Sequence, residues 1–193
     1  MRRPLRPQLR ILVLPLRRTR WEVKGRTLDY FIKKRYNPGA MKQLIIIRHG
    51  EQDTLRHLSK KGELHVIALA EKLKPYVENQ QLHICTSSAS RAKDTAYALS
   101  GALGDRAGTP TLHKELWSDN EHPQDDERAL SVIFKQSEDV DTLLVVTHLE
   151  YIRSIPPLFA QRILNITIPP QNLEKGDARI INCETKEAIL IKP

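Results

Sequence analysis

The sequence predicts a three-layer α/β/α domain built on a mostly parallel central sheet. Two apolar runs, Leu44-Ile45-Ile46-Ile47 and Leu143-Leu144-Val145-Val146, contain no polar residue, the pattern of strands buried on both faces. Strand-like and helix-like segments alternate around them, which places helices on both sides of a sheet. A chain of 193 residues, 40% hydrophobic and 28% charged, is long enough for one well-buried core.

The elements follow in order. Gln43 to Ile47 reads as the first strand. Leu58 to Leu73 carries apolar residues at helical spacing (Leu64, Ile67, Ala68 and Leu73), and Pro75 is expected to stop it. Leu82 to Cys85 reads as a second strand, followed by a helix from Ser90 to Leu99 with Ala92, Ala96 and Leu99 on one face. Gly101 to Pro110 is a connection and Asp125 to Gln136 a further helix. Leu143 to Val146 is the third strand, and Pro156-Pro157 is expected to interrupt the helix that follows it. Residues 178–181 and 188–191, joined through Glu184-Thr185-Lys186, read as a closing hairpin.

Charge divides the chain at residue 40. Residues 1–40 hold twelve Lys or Arg against Glu22 and Asp29, a balance of +10; the remainder is −2, out of a total of +8. The basic character therefore belongs to an N-terminal extension, and a domain of residues 41–193 is expected to stand without it. A nucleic-acid partner is expected only through residues 1–40, since acid-poor basic arms bind polyanions. The extension contains no serine, which argues against an organelle-targeting peptide. Cys85 and Cys183 have neither metal nor redox spacing, which favours a reducing, cytoplasmic setting. No apolar stretch approaches the roughly 20 residues needed to cross a bilayer, so no membrane partner is expected.

Both apolar strands end in a histidine: the first delivers Arg48-His49-Gly50, the second Thr147-His148. Ligands of open α/β sheets bind at the carboxyl ends of the strands, so neighbouring strands would bring His49 and His148 into one pocket.

Arg48-His49-Gly50-Glu51 directly after a strand, the block Leu58-Ser59-Lys60-Lys61-Gly62, the block from Thr86 to Ala96 around Arg91, and Val145-Val146-Thr147-His148 together resemble the histidine phosphatase superfamily in order and spacing. The resemblance covers residues 41–193. It implies a phosphoglycerate mutase-like fold and a metal-independent phosphatase that passes a phosphoryl group through His49, with no cofactor. The form resembles the short bacterial protein-phosphohistidine phosphatases. Substrates are then a phosphorylated small molecule or a phosphohistidine-bearing protein, with mutase-type transfer or non-catalytic phosphate binding as alternatives. Only 57 residues separate Arg91 from His148, which leaves little chain for the covering segments a mutase needs.

The chemistry suits these residue types. A transferring phosphoryl group spreads charge over three oxygens, and the guanidiniums of Arg48 and Arg91 match such oxygens in bidentate geometry. His49 is the expected nucleophile, kept neutral by those cations. His148 is expected to donate to a non-bridging oxygen, and Gly50 to let backbone approach the phosphate. The resemblance points to Glu115 as general acid, with Asp119 and Glu121 as substitutes. Leu149 stands where the acid-phosphatase branch has an aspartate, and Glu150 reads as a helix-dipole partner. Relatives often carry an asparagine shortly after the signature, whereas this chain has Gln52-Asp53-Thr54. Ser87 and Ser88 read as caps or phosphate donors, Arg153 as rim or surface, His65 as surface, and His83 and Cys85 as packing.

Overall fold

The computed structural model of the protein describes residues 41–119 and 121–193; the basic extension, residues 1–40, lies outside them. Six strands form one sheet: β1 (Gln43–Arg48), β2 (Leu82–Ser87), β3 (Thr111–His113), β4 (Thr142–Thr147), β5 (Ala178–Asn182) and β6 (Ala188–Ile191). Their spatial order is β3-β2-β4-β1-β5-β6. β3, β2, β4 and β1 are mutually parallel, and the predicted hairpin β5–β6 joins β1 antiparallel.

Side chains alternate across each strand, so the two apolar runs serve two cores at once. Leu44, Ile46, Leu143 and Val145 pack against α3 (Asp126–Gln136) and α4 (Leu149–Phe159). Ile45, Ile47, Leu144 and Val146 pack on the other face against α1 (Lys60–Val77) and α2 (Ser90–Leu103). The result is the predicted three-layer sandwich.

Three local expectations are corrected. α1 buries Val66, Leu69, Leu73 and Val77 and leaves Leu64 and Ile67 exposed, so its inward stripe is rotated from the one the apolar residues suggested. Gly62 sets that rotation: a Cβ there would lie 2.4 Å from the carbonyl oxygen of Glu51, so only a bare Cα lets the helix seat against the signature loop. Pro75 does not stop α1, which runs on to Val77. Pro75 and Glu71 are both exposed, so water can serve the carbonyl the proline leaves unbonded. Pro156 and Pro157 likewise sit inside α4, whose end passes into a wider turn over Ala160–Leu164. No helix among the described residues is long and apolar enough to cross a membrane.

Candidate active site

Pairing of β1 with β4 sets Arg48 beside Thr147, so His49 and His148 leave the sheet as neighbours, their ring centroids 5.2 Å apart. β2, on the far side of β4, ends at Ser87 and leads into α2, whose first turn carries Arg91. Arg48, His49, Arg91 and His148 meet at the floor of a cleft of about 470 Å³.

Arg91 joins the two rings. Its Nε donates to His49 Nε2 at 3.1 Å and its Nη2 to His148 Nδ1 at 3.0 Å. A guanidinium has donors only, so both ring nitrogens it meets must accept. The remaining protons are thereby fixed. His49 Nδ1–H donates to the Gly50 carbonyl at 2.9 Å, and His148 Nε2–H donates to Ser87 Oγ at 2.8 Å. His49 thus carries its lone pair on Nε2, where it accepts from Arg91.

Both imidazoles are held neutral. Burial is the main cause for each: it pushes His49 down to about 4 and His148 to about 3. The charges of Arg91 and Arg48 add to the effect on His49, against the opposing bond to Gly50. The sequence argument credited the arginines, but desolvation exceeds them.

Arg48 donates from Nη1 to the Leu173 carbonyl at 2.7 Å, while its Nε is buried with no hydrogen-bond partner among the described residues. An orphaned charged donor at the cleft floor suits an anion that supplies the missing acceptor.

Gly50 is placed differently from expectation. A Cβ on it would meet the tip of Leu58 at 2.5 Å, and its amide donates to Thr95 Oγ1 at 2.9 Å. It serves packing against α1 and α2, and its N–H is already spent.

Glu115 is also displaced from its expected role. It sits half-buried in a single 3₁₀ turn, Lys114–Leu116, and does not line the cleft. The short chain after this turn carries Asp119 and Glu121 into the cleft instead. Asp119 is a fixed anion. Burial raises its pKa, but stronger opposition comes from His122 Nδ1, the amides of Glu121 and His122, and the Trp117 indole, which together hold it far below the usual carboxylate range. A carboxyl held ionised has no proton to give, which disfavours Asp119 as the acid; Glu121 and Glu150 are the other acidic groups lining the cleft.

Ser87 proves to be a ligand of His148, whereas Arg153 meets Asn172 away from the cleft. His83 bonds Thr111 Oγ1 at 2.9 Å, as a packing residue would. Among the described residues no cluster of His, Cys, Asp or Glu could hold a metal.

Gln52 lines the wall as well, and so do Arg56, Ser118 and Lys175, which were not singled out from the sequence. Gln52 occupies the stretch where an asparagine was noted as missing. Lys175 arrives because β5 runs antiparallel: Ala178 pairs with Ile47, so the loop entering β5 lies where β1 ends. A search after the ends of parallel strands overlooks such a residue.

No protein-family model matches the chain. No curated protein matches it in sequence either. Solved structures do. The putative phosphohistidine phosphatase SixA from Nakamurella multipartitia superposes with a TM-score of 0.59 at 16% identity, covering 79% of this chain and 96% of that one. The protein histidine phosphatase SixA complexed with tungstate gives 0.58 at 17%, covering 77% and 94%. A putative alpha-ribazole-5'-P phosphatase from Escherichia coli gives 0.52 at 19%, covering 79% and 96%. The chain has the fold of these phosphatases, the phosphoglycerate mutase-like α/β domain.

Proposed function

We propose that the protein is a metal-independent phosphatase that hydrolyses a phosphomonoester or a protein phosphohistidine through a phosphohistidine on His49. The observation that carries this reading is the Arg91 bridge, which fixes the proton of His49 on Nδ1 and leaves the lone pair on Nε2, free to attack once Arg91 turns to the phosphoryl oxygens. In the first step Nε2 attacks phosphorus, the N–P bond forms, and the bond to the leaving group breaks, the leaving atom taking a proton from solvent. Arg91 exchanges its ring contacts for phosphoryl oxygens, and the idle Nε of Arg48 gains an acceptor. Water then attacks phosphorus and gives up one proton to solvent, the N–P bond breaks, orthophosphate leaves, and Nε2 regains its lone pair.

His148 donates to a phosphoryl oxygen from Nδ1. For this its proton must leave Nε2, and the Ser87 hydroxyl must turn from acceptor to donor. A hydroxyl does both.

An imidazole leaving group needs less protonation than an alkoxide, so a phosphohistidine substrate suits a cleft whose Asp119 is held toward its ionised form. Residues 41–193 form the catalytic domain in this reading, and 1–40 are dispensable to turnover. Turnover of an aryl phosphate and of a phosphohistidine protein, by the full chain and by a chain starting at Met41, tests it. The expected result is hydrolysis by both chains and its loss in His49→Ala, with the fold intact by circular dichroism. Phosphate binding without turnover of either substrate would make the protein a phosphate-binding module, and surviving activity in His49→Ala would remove the nucleophile.

A further inference from the structure

Four cationic side chains, Arg48, Arg56, Arg91 and Lys175, line one cleft, and the floor pair already suffices to cradle a single phosphoryl group. The other two are costly to place. Arg56 has φ 64°, in the left-handed region that glycine and asparagine adopt far more readily. A rigid turn keeps it there. Asp53 Oδ1 accepts from the amides of Leu55 and His57, the Asp53 amide donates to the His57 carbonyl, and His57 Nδ1 is tied to Asp94 Oδ2 at 2.7 Å.

Both cations also bear on the floor. Arg56 stands close enough to oppose the charge of Arg91, although burial is the larger influence there, and Lys175 opposes protonation of His49. Neither the Arg56 nor the Lys175 side chain has a hydrogen bond or ion pair among the described residues. Asp119, Glu121 and Glu150 line the same cleft and Glu51 attracts Lys175, yet no carboxylate among the described residues pairs with either cation, which leaves both open to an entering anion.

We propose that Arg56 and Lys175 form a second anion subsite beside the phosphoryl site, so that the substrate carries a further acidic group, carboxylate or phosphate, within a few bonds of its phosphoryl group. This rests on reading the cleft floor as a phosphoryl site. It adds a statement of substrate class: phosphorylated acids are preferred over phosphorylated neutral groups. Two exposed charge-assisted contacts correspond to a preference of about three- to tenfold.

The test is calorimetric and needs no turnover. Propylphosphonate and 3-phosphonopropionate differ only in a methyl replaced by a carboxylate, and both are titrated into the full chain and into R56Q/K175Q. The expected result is tighter binding of 3-phosphonopropionate to the unsubstituted chain by about three- to tenfold. In the double variant that preference collapses, while propylphosphonate still binds and reports an intact floor. Equal affinities in the unsubstituted chain, or a preference that survives in the double variant, would overturn the subsite alone. Failure of both phosphonates to bind the unsubstituted chain would overturn the phosphoryl reading together with it.

Discussion

The floor and the rim of the cleft are built by opposite rules. On the floor His49 and His148 are buried, and every ring nitrogen has a partner that dictates its protonation. At the rim Arg56 and Lys175 offer charge with no partner among the described residues. A floor of this kind is preorganised for one reaction, because its dipoles need no rearrangement beyond the swing of Arg91. The rim commits to no reaction, only to the charge of what enters.

The largest expected break in this contrast is Arg91→Ala, which removes the group that orders both rings. It should lower kcat/KM by about 10³-fold, and Arg91→Lys should recover little, because one ammonium cannot span two rings as the guanidinium does. Steady-state kinetics with stability controls distinguishes this from unfolding.

Next comes pH. With His49 pushed down to about 4, the acid limb of kcat/KM should fall near pH 4 and not near 6.5, the unperturbed histidine value. Stability follows the same groups. Below pH 6.5 the unfolded chain takes up protons that the folded histidines refuse, so stability is complete above that pH and declines between 6.5 and about 4. For His49 alone the loss is roughly 3 kcal/mol, readable as a falling urea midpoint that His49→Ala makes shallower.

The smallest effect sharpens the picture from behind the floor. Ser87→Ala leaves His148 Nε2 without its acceptor, so kcat should fall about tenfold, the scale of one buried hydrogen bond. KM should change little, since Ser87 does not line the cleft. Nitrogen chemical shifts of the His148 ring should move from a single protonated Nε2 toward mixed tautomers, which a purely structural role for Ser87 would not cause.

The contrast also marks what sequence could reveal. Unbroken apolar runs specify strands buried on both faces, and their terminal histidines were legible because parallel strands deliver their last residues to one edge of a sheet. Arg91 was legible only through its surrounding block. The acid was misplaced because Glu115 and Asp119 lie in short irregular chain, where no period fixes which side chain turns inward. The stripe of α1 was misread because Leu64 and Ile67 are as apolar as the residues that are buried, and the deciding contact, Gly62 against Glu51, is tertiary. Arg56 and Lys175 carry no motif at all. Their presence in one cleft depends on a turn pinned by Asp53 and on the reversed direction of β5.

The loop that brings Lys175 is fastened to Arg48 at three points: the Leu173 carbonyl takes its Nη1, the Asp177 carbonyl takes its amide, and the Gly176 amide reaches its carbonyl. Lys175 can be exchanged while the segment keeps its length, since the fastenings use main-chain atoms on the loop side, whereas Gly176 is held by its φ of 88° and Asp177 by its side-chain bond to the Glu174 amide. An insertion or deletion there would pull on the arginine itself. Divergence in what the protein accepts should therefore proceed at this loop by substitution, with its residue count held constant.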